Sequence, residues 1–180
     1  MKKTVFMLLA ALIFAGIAEA AMQTHGDLTI DVPEGWLVEK NENVIVFWAP
    51  DKSMALVTVQ SSAEGTTVKA YAEQIAQGCN GSLPTVAENN WYTFTYTDQG
   101  AGDCYAAVAG DEKSGSYLAM TMAAKNLTHP QFKAMYDTVK FTAEEQPLSL
   151  AGEHAEGRSL FLPVLMALRL VFIICGNIIP

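Results

Sequence analysis

The sequence predicts an α+β domain: an antiparallel β-sheet flanked by two main helices, with an apolar segment at each end of the chain. Three observations carry this. Several short stretches alternate apolar and polar residues with period two, in pairs joined by turn residues, as half-buried hairpin strands do. Two other stretches repeat their apolar residues with the helical spacing i, i+3, i+4, i+7. The two ends, 1–20 and 160–180, are almost continuously apolar and stand apart from the rest.

Taken in order, Lys2 and Lys3 form a positive start, and Val5–Ile17 is an apolar run of about 13 residues. Ala18-Glu19-Ala20 is a small-x-small cleavage site, so 1–20 is expected to be a signal peptide, leaving Ala21 as the first mature residue. The apolar run is shorter than the ~20 residues a membrane span needs. With the Met-Lys-Lys start, this points to the bacterial periplasm.

The domain is expected over 21–145. Leu28, Ile30 and Val32 alternate with Thr29 and Asp31 as a strand, Pro33-Glu34-Gly35 is a turn, and a second short strand runs from Trp36 to Lys40. Val44–Ala49 and Ala55–Gln60 form a hairpin around Pro50-Asp51-Lys52-Ser53. Val68, Tyr71, Ala72 and Ile75 make one stripe of a three-turn helix, with Thr66 or Thr67 as N-cap and Gly78 as stop. Trp91–Thr97 alternates strictly, placing Tyr92, Phe94 and Tyr96 on one face. Cys104–Ala109 and Tyr117–Ala124 pair around Asp111–Gly115. Thr128-His129-Pro130-Gln131 reads as a capping box with proline in the first turn. It opens a helix carrying Phe132, Met135, Tyr136 and Val139. A linker follows over 146–159.

The segment 160–180 has 13 Leu, Ile, Val or Phe residues, opposed by Arg169, Pro163 and the Gly176-Asn177 pair. A membrane anchor, a tail docked on the domain and a frameshifted end all remain open.

Net charge is −8, and loss of Lys2, Lys3 and Glu19 with the leader makes it −9. So acidic a chain lacks the basic footprint of a nucleic-acid binder, and no nucleic-acid partner is expected. In an oxidising compartment Cys79 and Cys104 are expected to form a disulfide, with free buried thiols as the alternative. No catalytic residue, metal site or cofactor is expected. His25, His129 and His154 are scattered without metal-ligand spacing, and no serine sits in a nucleophile-elbow turn. Asp98 and Asp103 share a glycine-rich loop that lacks the ligand pattern of a calcium loop. Asn80-Gly81-Ser82 and Asn126-Leu127-Thr128 fit a glycosylation acceptor pattern that a bacterial chain has no use for. Trp36, Trp91, Tyr92, Phe94 and Tyr96 are the candidate ligand- or partner-binding residues, the alternative being that the aromatic face packs beneath the helices.

The order of strands, helix, strands and closing helix, with a strand running into Val32-Pro33-Glu34-Gly35-Trp36, resembles the Mog1/PsbP-like group over about 27–142. Its bacterial periplasmic branch includes the DcrB-like proteins. The resemblance implies an α/β/α sandwich and a role in binding or assembly. The group shares no catalytic residues to carry over. The absence of a cysteine after the cleavage site departs from its lipoprotein members. The expected function is therefore a non-catalytic cell-envelope protein binding an envelope protein or a small ligand. The alternative is a small periplasmic hydrolase or metal-dependent enzyme whose site converges in three dimensions, signalled by a deep pocket gathering His129 or the Asp98/Asp103 loop.

Overall fold

A computed structural model describes residues 21–87 and 89–143. The expected signal peptide (1–20), residues 144–145, the linker (146–159) and the apolar C-terminal segment (160–180) lie outside the described residues. Among the described residues no helix is long and apolar enough to cross a membrane.

The alternating stretches fold as strands. β1 (Ala21–His25) and β2 (Leu28–Val32) form a hairpin in which Leu28, Ile30 and Val32 are buried. The Pro33–Gly35 turn closes with the Trp36 N–H donating to the Pro33 carbonyl at 3.2 Å. Gly35 sits at φ 82°, a backbone state that costs glycine little. β3 (Leu37–Asn41), β4 (Val44–Trp48) and β5 (Ala55–Ser62) then form one antiparallel meander.

Helix α1 (Val68–Gly78) begins at Thr67, whose hydroxyl accepts from the Ala70 N–H at 3.1 Å, and it buries Tyr71, Ala72, Ile75 and Ala76. A second meander follows: β6 (Thr85–Val86), β7 (Tyr92–Asp98), β8 (Gly102–Asp111) and β9 (Ser116–Ala123). A 3₁₀ turn (Ala124–Thr128), helix α2 (Pro130–Asp137) and β10 (Lys140–Phe141) complete the described chain.

The two meanders join through β5 and β9 into a seven-stranded antiparallel sheet of order β3-β4-β5-β9-β8-β7-β6. Period-two pleating then sends successive side chains to opposite faces. One face carries the row Val46, Val57, Thr121, Ala106, Phe94 across five strands. Farther along this face α1 packs, its Tyr71 ring stacked on Tyr117 at 4.5 Å. Val46, Trp48 and Val57 form a small separate cluster there. The opposite face carries Ile45, Thr58, Met120 and Ala107 in one row, beneath β2 and α2. Phe132 and Met135 of α2 and Leu28, Ile30 and Val32 of β2 close that core.

The α+β class with antiparallel sheets and two helices is as expected, but the layering differs. Besides the main sheet, which lies between α1 and α2, a second, three-stranded sheet of order β1-β2-β10 shares a face with α2. β10 returns after α2 to pair with β2, Lys140 opposite Thr29 and Phe141 opposite Leu28, so β2 finds its partners outside the main sheet. The expected capping box is also different. Thr128 ends the 3₁₀ turn, and its hydroxyl is donated to the Lys125 carbonyl at 2.8 Å, which leaves His129 as the N-cap without a side-chain cap bond. Pro130 takes the first helical position, where its missing N–H has no partner to lose.

One strand glycine is fixed by packing. Gly110 opposes Tyr117, and a Cβ there would stand 2.4 Å from Tyr117 Cδ1. The ring lies over the bare backbone and against Tyr71, with its hydroxyl donated to the Thr66 carbonyl just before α1. Gly110→Ala is expected to displace that ring and lower stability by about 1–3 kcal/mol, the usual range for overpacking. A fall in the urea midpoint at unchanged m-value is the measurement; an unchanged midpoint counts against the ring being held there.

Candidate functional site

The five aromatic residues expected in one binding surface do not come together. Tyr92, Phe94 and Tyr96 point toward α1, where Phe94 is buried and its ring lies 6.2 Å from that of Tyr96. The Tyr96 hydroxyl bonds to Thr121 Oγ1 at 2.7 Å. Trp36 and Trp91 belong to the core on the opposite face, with Trp36 tilted against Phe132 at 6.1 Å. The strand period already contained this separation, because Trp91 stands one residue from Tyr92.

Trp91 does line a cleft of about 450 Å³, with Tyr105, Met120, Tyr136, Asp137 and Val139. β8 and β9 supply its floor, the end of α2 one wall, and the residues before β7 the other. The Trp91 N–H donates to Asn89 Oδ1 at 3.3 Å, which ties that segment beside the ring. The Tyr105 and Tyr136 rings meet edge-on at 6.3 Å and 79°. Burial, and then the neighbouring Tyr105, push the Tyr136 hydroxyl well above the ordinary tyrosine range, so it remains a neutral donor. Asp137 adds a carboxylate at the rim, paired with the Lys133 ammonium at 2.6 Å. Both partners are exposed, so the pair holds Asp137 weakly. Three aromatic rings, a thioether and one carboxylate suit an apolar body that carries a positive charge.

A second cleft, of about 710 Å³, gathers His129 with Asp51, Ser53, Lys125 and Gln131. It lies between the β4–β5 turn and the start of α2, and it is wide and shallow rather than deep. Asp51 accepts from the Ser53 N–H at 3.0 Å and from its hydroxyl at 2.7 Å. Those two bonds hold its carboxyl below the usual range, with His129 a lesser contributor. General-base catalysis at a hydroxyl needs a base bonded to it. Here the serine hydroxyl is given to the carboxylate, and among the described residues no serine is hydrogen-bonded to a histidine. The Asp98/Asp103 loop closes on itself. Asp98 accepts from the Gly100 and Ala101 N–H groups at 2.7 and 2.9 Å, and Asp103 accepts from the Thr97 hydroxyl at 3.1 Å. Among the described residues no three His, Cys, Asp or Glu side chains are grouped to hold a metal.

Cys79 and Cys104 are both thiols and lie on the α1 face of the sheet. Cys79 caps α1, half-buried, with its N–H donated to the Ile75 carbonyl at 3.1 Å. Cys104 is buried in β8 directly opposite Tyr96. Burial pushes its thiol from an ordinary value near 9 up to about 11. Burial likewise raises the Tyr96 hydroxyl, and both cysteines act on it in the same direction. The folded state therefore holds the Cys104 proton more tightly than the unfolded chain does. That contribution to stability is complete below about pH 9 and is lost as pH rises toward about 11. Reduced protein should show a falling melting temperature across that window, and Cys104→Ala should flatten this part of the profile. An equally steep fall in the variant would assign it to other groups.

No family model matches the chain, and no curated relative does. Among solved structures it is similar to a crystal structure of a protein from Bacteroides thetaiotaomicron VPI-5482, at 11% identity and a TM-score of 0.48, over 71% of this chain and 50% of that one. The chain thus spans about half the length of that protein, and a likeness at this level carries no functional argument.

Proposed function

We propose that this chain is a non-catalytic binding or assembly protein of the bacterial cell envelope, exported by its leader to the periplasm. Its partner is a basic or amphipathic protein segment, or a small ligand of that character, held in the Trp91/Tyr105/Tyr136 cleft. The observation that supports this reading most is the composition of that cleft: aromatic rings around a weakly committed carboxylate, on a chain of net charge −8. A cation over an aromatic face gains about 0.5–2 kcal/mol depending on desolvation, so several such contacts give a modest, reversible affinity. Kinship with the Mog1/PsbP-like group is part of the proposal. In its favour, the Pro33–Trp36 turn delivers Trp36 onto Phe132 of α2, which gives the motif a structural role.

Calorimetric titration with an amphipathic lysine–leucine peptide tests the cleft. Tyr136→Ala and Asp137→Asn should each weaken binding about three- to tenfold without changing the far-ultraviolet spectrum. Unchanged affinity in both would move the binding surface elsewhere. The convergence of His129, Asp51 and Ser53 favours a second reading, a small hydrolase. Ester or peptide turnover by purified protein that disappears in His129→Ala would establish that reading instead.

We also propose that Cys79 and Cys104 pair in the exported protein. Their thiols lose two protons and two electrons to an envelope disulfide oxidant, which leaves as a dithiol. The bond would close a loop of about 25 residues, worth roughly 3–4 kcal/mol on the chain-entropy model, less any strain. Peptide mapping without reductant should recover the cross-linked pair, and alkylation of both thiols in oxidised native protein would refute it.

A further inference from the structure

Three polar residues are buried among the described residues: Thr58, Thr121 and Asn126. Two are satisfied. The Thr58 hydroxyl is donated to the Ile45 carbonyl at 3.2 Å, and Thr121 bonds to the Tyr105 carbonyl at 3.3 Å and to Tyr96. Asn126 is only 5% exposed, and its carboxamide is not among the side-chain groups that are both sealed from solvent and without a partner. A donor withdrawn from water without a partner is costly, and such groups mark places where something else completes the bonding. One such donor shares a cavity with Asn126. The indole N–H of Trp48 is closed off from solvent and has no acceptor.

Both residues line one small cavity of about 70 Å³, between the β4–β5 turn, the β7–β8 loop and the 3₁₀ turn. Lys52, Lys125 and Ser53 also line it, and no carboxylate does. Ser53, Met54, Lys125 and Asn126 are shared with the 710 Å³ cleft, so the two spaces adjoin.

We propose that this small cavity binds the carboxylate of a small monocarboxylic acid, with Trp48 Nε1 and Asn126 Nδ2 as its donors. The chemistry selects this class. An indole N–H can only donate, and a carboxylate can only accept. Lys52 and Lys125 supply positive charge where the chain as a whole is strongly negative, so the cavity is a local exception to the field around it. A neutral apolar occupant would leave the Trp48 N–H unmet, and a cation would meet two ammonium groups. The volume admits a carboxylate and one or two carbons, with any longer chain running out into the larger cleft. A second carboxylate there would face Asp51, which stays charged through its bonds to Ser53. A monoanion is therefore preferred to a dianion.

The site is independent of the aromatic cleft, and its test reads a different tryptophan. Trp36, Trp48 and Trp91 give three indole resonances in a nitrogen–proton correlation spectrum of the mature protein, and Trp48→Phe identifies one of them by its loss. Sodium propionate should move the Trp48 resonance saturably and leave the other two in place. Equal concentrations of sodium chloride or of neutral propionamide should not. Asn126→Ala should weaken binding at least tenfold. Lys125→Gln, a change at an exposed side chain that keeps the fold even if the Asn126 variant does not, should weaken it several-fold. A static Trp48 resonance, an equal response to chloride or propionamide, or unaltered affinity in Lys125→Gln would overturn the proposal.

Discussion

The fold depends on one seam, the antiparallel pairing of β5 with β9. Each meander is built from local hairpins, but these two strands alone join them, from Val57 opposite Thr121 to Ser62 opposite Ser116. Closing that seam brings together segments separated by α1 and by β6, β7 and β8, so its loop-closure entropy must be recovered by burial. Both faces supply it. Val59, Tyr117 and Ala119 pack under α1 on one side, while Leu56, Leu118 and Met120 pack under β2 and α2 on the other. With the two central strands buried on both faces, a slip of one residue would exchange two different sets of side chains. Register is therefore strongly specified.

That constraint also places the clefts. The centre of the sheet is sealed, so open space remains only where the covering elements stop short. At the end of α2 the layer over β8 gives out, leaving Tyr105 and Tyr136 beside Trp91. At the other end of α2 the β4–β5 turn stands away from the 3₁₀ turn, leaving the space around Ser53 and His129. The turn residues there satisfy one another locally, Asp51 with Ser53 and Lys52 with the Ala49 carbonyl, so this turn holds its shape without filling the gap.

Much of the fold was legible because periodicity reports burial directly. The hairpin strands and the stripe of α1 announced themselves, and Thr67 served as N-cap as one of two adjacent candidates. The misses have equally physical causes. β6 and β10 are two residues long and carry no period. β1 is largely exposed and shows no alternation. The second sheet arises from a long-range return that no local pattern encodes. At Thr128 the hydroxyl donates to the Lys125 carbonyl of the 3₁₀ turn rather than accepting from an N–H of α2. The sites were less legible. The aromatic side chains advertised Tyr92, Phe94 and Tyr96, but an aromatic residue in a central strand is first of all core. Trp91 carried the useful signal through its opposite parity. Asn126 carried none, because its burial follows from a 3₁₀ turn that the sequence does not announce.

The two clefts differ in the kind of selectivity each can exert. In the aromatic cleft the polar groups are already served or near solvent: Asp137 has Lys133, and the buried Tyr136 hydroxyl stays neutral. A ligand there gains area and cation–π contact but relieves no buried deficit, so shape and charge grade affinity gently. In the Trp48/Asn126 cavity the protein itself bears a deficit, the buried Trp48 N–H without an acceptor. A ligand that supplies acceptors removes it, and one that cannot leaves it in place. Discrimination at such sites is steep, because the wrong occupant forfeits hydrogen bonds that the empty protein also lacks. On the two proposals, the first cleft would act as a contact surface for a partner and the second as a specific small-molecule site.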